Sequence, residues 1–340
     1  CDIIYALYGT GWDKTNYGNY CATPWCHWSD MTVQYLSPWT NQIPQFLNSK
    51  TIYVLSPGNY IQTYSVNMEN DCTALVWWSG TVTWYNNTSQ YEQLYMLWRD
   101  IVVDNIVFHG SGNGVGWFVS PHEQAILHNS TRCSTVNNVN IFWHGRFGIF
   151  SEWSEFKVSN SSIYNIWGDW ALLRLNSTSF IENTKIYNWR RDGINIVGSK
   201  NKIYSGTEIF NIYGDGIQID GGNKVFLDDV QIYNNHNAGI QIQWASHYHV
   251  FNNVKIFDNN IGIATSNDID PKEYNTLNNS QIFNNSSHGL SLYRTKNFTI
   301  NNTHVYNNGG NGIYFAGNNN SGGILNDVFS YNNGGYGIRS

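Results

Sequence analysis

The stretch GDGIQIDGGNKVFLDDVQIYNNHNAGIQI, residues 214–242, contains its own echo: Gly-Ile-Gln-Ile at 216–219 returns at 239–242, 23 residues on. Within each copy apolar and polar residues alternate, Ile217 and Ile219 against Gln218, then Ile240 and Ile242 against Gln241. That period of two is the mark of a strand with one buried face. Working outward, the glycine before the aliphatic residue recurs at Gly148, Gly193, Gly216, Gly239, Gly262, Gly289, Gly312 and Gly337, with Trp170 filling the vacant place after Gly148. The steps run from 22 to 27 residues. Two more files keep the register. One contains Asn138, Asn160, Asn183, Gly206, Asp229, Asn253, Asn279, Asn302 and Asp327; the other contains Asn165, Asn188, Asn211, Asn234, Asp258, Asn284, Asn307 and Asn332.

Second short strands fall at 185–187, 208–210, 231–233, 255–257 and 281–283, and a weaker third precedes the first amide file, as at 225–227. Three strands per 23 or so residues, with Asn and Gly at the turns, predict an all-β right-handed parallel β-helix, since a repeat at fixed period means a solenoid. No stretch shows the 3.6-residue spacing of a helical repeat. Asn suits the corners because its side chain tolerates left-handed backbone, and amides stacked at the rung spacing can form ladders.

Residues 1–48, with Trp12, Trp25, Trp28 and Trp39 and no repeat, are expected to form an N-terminal cap, and 49–340 the β-helix. The 33-residue step from Asn105 to Asn138 predicts an insertion over about 111–134. The C-terminal rung reads as uncapped, so further chain or end-to-end self-association is expected there.

Charged residues make up only 12% and net charge is −6, which excludes a basic nucleic-acid surface. No apolar run is long enough for a transmembrane helix. The five cysteines, Cys1, Cys21, Cys26, Cys72 and Cys133, are irregularly spaced and read as disulfides with one left over. Cys1 is open to two readings, a lipid-modified N-terminus or a plain boundary. With sequons at 86–89, 160–162 and 301–303, the cysteines predict a secreted or cell-surface protein.

The opening IYVLSPGNY (52–60) and the NNxxIYNNxxxGIxI rungs resemble the pectin-lyase-like β-helix superfamily. That resemblance implies the fold and leaves activity open among polysaccharide lyases, glycoside hydrolases, epimerases, tailspikes and non-catalytic surface proteins. Against a polygalacturonase-like pattern Asp192 and Asp215 match, but Gly214 stands in place of an aspartate and Ala238 in place of a histidine. Against an epimerase-like Asp-Pro-His, Lys272 replaces the histidine of DIDPKE, residues 268–273.

Residues 143–220 are far richer in Trp, Arg and Asp than the later rungs. Sugar rings pack on aromatic faces, and their hydroxyls pair with carboxylates, amides and Arg, so a glycan groove over 143–243 is expected. Its binding residues would be Trp143, Trp167, Trp170, Arg174, Trp189, Asn195, Tyr213, Gln218, Asp220, Gln241 and Gln243. Asp169, Asp192 and Asp215 fall in one file, with Arg190 and Arg191 beside them, as the catalytic set of a polysaccharide hydrolase or lyase. Like charges one rung apart need a cation or a shared proton, which sets up acid–base work. No cofactor is expected beyond a Ca2+ ion able to sit on that file. His247 and His249 are a weaker metal pair. The competing reading is a non-catalytic adhesin or filament module in which Asp-Gly-Ile is only the corner of a repeat.

Overall fold

The computed structural model describes residues 32–38, 43–62, 64–69, 72–77, 82–86, 93–99, 101–110, 124–166, 171–197, 201–203, 205–221, 224–317 and 319–340. The chain divides into two compact units, Cys1–Ser162 and Ile163–Ser340. Among the described residues the regular elements are strands, and no helix is long and apolar enough to cross a membrane.

In the first unit three ladders of parallel strands rise together. Thr32–Leu36, Thr51–Leu55, Thr73–Trp77, Val102–Asp104 and Ser134–Asn137 form one. Gly58–Gln62, Val82–Asn86, Val107–His109 and Asn140–Phe142 form the next. Val66–Met68, Leu94–Arg99, Gln124–Arg132 and Phe147–Ser159 form the third. Among the described residues stacking is already present at Thr32–Leu36, inside the stretch expected to be a cap. Residues 1–31 lie outside the described residues. The expected insertion narrows as well, because Gln124–Arg132 is a rung strand in register with Leu94–Arg99. Cys72 and Cys133 are both buried, each at a left-handed φ. Cys1, Cys21 and Cys26 lie outside the described residues.

The second unit has the same plan. Its first sheet stacks Lys185–Trp189, Glu208–Ile212, Gln231–Tyr233, Lys255–Phe257 and Gln281–Phe283. The second stacks Asp192–Val197, Ile217–Asp220, Ala238–Gln243, Ile261–Thr265, Leu290–Tyr293 and Ile313–Ala316. The third stacks Asn201–Ile203, Phe226–Asp228, Val250–Asn252 and Thr276–Asn278. The period-two pattern places Ile194, Ile217, Ile240, Ile263, Leu290 and Ile313 in one fully buried file.

The amide files sit at the corners, as their chemistry requires. Asn183, Asp229 and Asn253 are left-handed at φ 45°, 55° and 53°, and Asn188, Asn211 and Asn234 at 59°, 56° and 55°. Asn234 donates to Asn211, and Asn211 to Asn188, at 2.6 and 3.2 Å. The glycine file has a different cause. A Cβ on Gly216 would lie 2.7 Å from the Gly239 carbonyl oxygen of the next rung, so close backbone stacking excludes a side chain there.

A further ladder lies inside. Asn235, Asn259, Asn285 and Asn308 are buried, and their Nδ2 groups donate in sequence to Asn259, Asn285, Asn308 and Asn333 at 2.9, 3.2, 2.9 and 3.0 Å. The same Oδ1 atoms accept the backbone N–H groups of Asn235, Asn259, Asn285 and Asn308, each at 3.0 Å. Buried amides persist because every group is satisfied.

Candidate functional site

The Asp-Gly-Ile corners lead into the second sheet. Asp192 Oδ1 accepts the backbone N–H of Asp215 at 2.9 Å, and Asp215 Oδ1 accepts that of Ala238, also at 2.9 Å. Each carboxylate thus pins the next rung. The same place in later rungs is held by His288, whose Nδ1 accepts the N–H of Asn311 at 2.9 Å, and by Asn311, whose Oδ1 accepts that of Tyr336 at 2.8 Å. The pinning bond therefore needs an acceptor and no charge. Charge is what sets the first two rungs apart. Burial lifts the Asp192 carboxyl to about 6; the Asp215 N–H opposes the rise, the Asp220 charge adds to it and Arg191 offsets part. Burial and the neighbouring Asp192 charge lift Asp215 to about 7, with the Ala238 N–H opposing and Asp220 adding. Two carboxyls in this range can give and take a proton near neutrality.

Outward along the same strands, Asn195, Gln218 and Gln241 are in register, as are Asp220 and Gln243. Asp220 accepts from Asn195 Nδ2 at 2.8 Å and from Gln218 Nε2 at 3.0 Å. Arg174 faces Asn195 on the preceding rung. The outer face is thus a floor of amides around one carboxylate, with two proton-active carboxyls at the start of its strands. Beyond its other end stand Trp244, Tyr248 and Tyr274, about half exposed and all in the left-handed region, where bulky residues are rare. The Tyr248 and Tyr274 rings stack at 5.2 Å.

At the corner between the first and second sheets lies a cleft of about 810 Å³, with Trp189, Tyr213, His236, Asn237, Asn260 and Ser286 among its walls. Tyr213 and His236 are exposed, and their rings stack at 4.4 Å and 6°. Asp192 and Asp215 are not part of its lining.

Residues 148–269 and 269–340, more than half of the chain, match the family described as Right handed beta helix region. The chain belongs to this family. It is a right-handed parallel β-helix of the pectin-lyase-like superfamily. No curated protein matches the sequence. Among solved structures, the Azotobacter vinelandii mannuronan C-5 epimerase AlgE4 A-module is similar at TM-score 0.70 and 13% identity, covering 84% of this chain and 88% of that one. The periplasmic alginate epimerase AlgG is similar at TM-score 0.64 and 10% identity, covering 87% and 84%. The Dettilon tailspike protein is similar at TM-score 0.52 and 10% identity, covering 87% and 68%. At these identities the likeness is one of fold.

The β-helix brings together Asp192, Asp215, Asp220, Arg174, Asn195, Gln218, Gln241 and Gln243 on one sheet. Trp189 and Tyr213 belong to the corner cleft, and the exposed Arg190 and Arg191 lie on the loop that leads from it to Asp192. Asp169, Trp167 and Trp170 lie outside the described residues. The described residue that pairs with Asp192 on the preceding rung is Ala171. Trp143 belongs to the first unit, where it packs against His109 at 5.3 Å. Gly214 stands where the polygalacturonase-like pattern has an aspartate, and a Cβ there would meet the Arg191 backbone carbonyl carbon at 2.6 Å.

Metal chemistry finds little purchase. Among the described residues no group of three or more His, Cys, Asp or Glu is placed to hold an ion. Asp192 and Asp215 each place Oδ1 on a backbone N–H group. His247 and His249 each spend Nδ1 on a backbone N–H, of Glu273 and Val225, and are corner pins. Lys272 is fully buried, donates to the Ser266 and Asp270 carbonyls and pairs with Asp268, so it staples its own loop.

Sequence reading missed His236, Trp244, Tyr248 and Tyr274. The last three could have been found as aromatic residues at corner places that other rungs give to Lys224, Arg294, Asn297 and Gly.

Proposed function

We propose that this β-helix protein engages a polysaccharide along the outer face of Asp192–Val197, Ile217–Asp220 and Ala238–Gln243, and that Asp192, Asp215 and Asp220 cleave it by hydrolysis or elimination. The observation that carries this reading is the carboxyl pair lifted to about 6 and about 7 at the head of an amide-floored face. Asp215, the higher of the two, serves as proton donor, and Asp192 as its partner, with Asp220 beside them. Neighbouring rungs are about 4.8 Å apart, close to the about 5 Å between carboxyls that retaining glycosidases use. For elimination, Arg190 or Arg191 would act as base. The fold neighbours named as mannuronan and alginate epimerases support a polysaccharide ligand.

The periplasmic neighbour and the cysteines support a location outside the cytoplasm, secreted or on the cell surface. The Asn160 and Asn301 amides donate to Asn137 and Asn278, each at 2.8 Å, so these asparagines are ladder residues.

A second reading, a non-catalytic surface module, is favoured by one observation: His288 and Asn311 make the same pinning bond without a carboxylate.

Incubation with a polysaccharide panel separates the two, read by reducing ends and by the absorbance of unsaturated products. Cleavage is expected from the wild type and lost in Asp215→Asn and Asp192→Asn, which keep the backbone acceptor. Cleavage that survives in both variants refutes the site. Binding without cleavage establishes the second reading.

A further inference from the structure

The cleft at the corner between the first and second sheets is a separate feature from the carboxyl face, and its shape has a traceable cause. The file of residues one place beyond the buried amides reads Arg190, Tyr213, His236, Asn260, Ser286, Gly309 and Gly334. Its members are tied rung to rung by backbone bonds such as His236 N–H to the Ile212 carbonyl at 2.8 Å and Ser286 N–H to the Asn259 carbonyl at 2.8 Å. Side chains along this file shrink from ring to amide to hydroxyl to nothing. The drop from His236 to Asn260 leaves a step, and the cleft opens over it.

The step has the parts of a saccharide site. Tyr213 and His236 stack face to face, so each uses one ring face on the other. Asn260 and Ser286 follow His236 on the next two rungs with shorter, non-aromatic side chains, and Ser286 Oγ donates to Asn260 Oδ1 at 3.2 Å. Around the ring pair the cleft presents Asn237, Asn260 and Asn284, the Asp258 carboxylate and the Ser286 hydroxyl. Trp189 lines the same cleft, and its buried Nε1–H has no acceptor among the described residues. A volume near 810 Å³ lies within the range of small-molecule sites, and polar groups that converge around a ring face are how such sites fix orientation.

We infer that this corner cleft is a glycan-binding subsite, in which a pyranose ring packs against the exposed Tyr213–His236 pair and its hydroxyls pair with the surrounding amides, Asp258 and Ser286. The inference rests on the polysaccharide reading above but not on cleavage, because no member of the carboxyl set lines the cleft. Its ligand is hydroxyl-rich and of a few sugar units. Amides that both donate and accept suit hydroxyl groups, whereas an anion would face Asp258 here.

The test is binding by isothermal titration to the wild type, His236→Ala and Asn260→Trp, the last filling the step. The probes are hexasaccharides of β-1,4-linked glucose, mannose, xylose and N-acetylglucosamine, and of mannuronate and galacturonate. All three proteins are first checked for equal melting temperature, as expected because both altered residues are exposed. His236→Ala is expected to weaken binding roughly three- to tenfold, the effect of one ring contact, and Asn260→Trp to abolish it at the cleft. Tryptophan fluorescence of the wild type should shift on binding, since Trp189 lines the cleft. Binding that is equal in all three proteins overturns the cleft and leaves the outer-face reading standing. Absence of binding by every probe to the wild type overturns both.

Discussion

Replacing Asp215 by Asn should make the protein more stable at high pH while removing its proposed proton donor. The amide keeps an oxygen for the Ala238 N–H, which the aspartate holds at 2.9 Å. What it removes is a charge that burial and Asp192 both disfavour, lifting the carboxyl from 3.8 to about 7. Between these values the folded chain holds a proton that the unfolded chain has lost. Stability of the wild type therefore falls as pH rises from 4 to 7 and levels off above, the reverse of an ion-paired aspartate. The full penalty is about 4 kcal/mol, at about 1.4 kcal/mol for each pKa unit. Asp215→Asn should match the wild type near pH 4 and exceed it by about 4 kcal/mol at pH 8. The assay is urea unfolding by circular dichroism at five pH values across that range. Asp215→Ala is the companion: it removes the charge but leaves the Ala238 N–H unpaired, at about 1–3 kcal/mol, so it should fall below the asparagine variant at every pH. A difference between wild type and Asp215→Asn that is the same at pH 4 and pH 8 would refute the buried-carboxyl account, and with it the main support for acid–base chemistry.

Two further substitutions probe the scaffold under the site. Asn259→Ala leaves the Asn235 N–H and Nδ2 groups without their acceptor and should destabilise by about 4 kcal/mol in urea unfolding. Asn234→Gly, which keeps the left-handed corner and loses only an exposed ladder bond, should cost under about 1 kcal/mol; equal costs would show that the inner ladder is no stronger than the outer. Lys272→Met removes the cation facing Asp268, which keeps its bonds from the Trp244 N–H and the Ser266 hydroxyl, and leaves two loop carbonyls without their donor, so a loss of about 2 kcal/mol is expected together with faster proteolysis in residues 266–272; an unchanged cleavage rate would show that the loop is held by other contacts.

The rungs were legible because a solenoid repeats its physics at every turn. The alternation around Ile194, Ile217 and Ile240 announces strands, and the left-handed corners demand Asn, Asp or Gly at Asn188, Asn211 and Gly206. The pattern was weakest where no glycine marks the bend: Trp170 and Asp169 lie outside the described residues, and Ala171 is the residue that pairs with Asp192. The inner ladder was hidden by identity of letters. In Asn234-Asn235 one amide is exposed and the next buried, and composition alone assigns both to the surface. The site was legible only in part for the same reason. Sequence shows that Asp192 and Asp215 share a file, but not that both spend an oxygen on the next backbone. His236 is one polar letter among asparagines until the shrinking file beneath it is seen.

The same distinction decides which aromatic residues can meet a sugar. On the first sheet Tyr164, Tyr187, Phe210, Tyr233, Phe257, Phe283, Tyr306 and Tyr331 form an unbroken stack with centroids 4.8–5.1 Å apart and planes within 7°. It is the longest aromatic array in the second unit among the described residues, and its partly exposed rings make it look like a binding strip. Yet every internal ring has given both faces to its neighbours, and only edges face the solvent. A pyranose offers axial C–H groups that need a face. The ladder therefore adds about 0.5–1.5 kcal/mol per stacked pair to the scaffold and offers little to a glycan. A face becomes available only where a file of rings stops. On the corner file that happens at His236, two rungs after Arg190 and one before Asn260, where the following side chain is too short to continue the stack. Recognition on a repeat of this kind is thus expected at interruptions of the pattern, and extending the corner stack by Asn260→Trp should close the cleft by restoring the regularity.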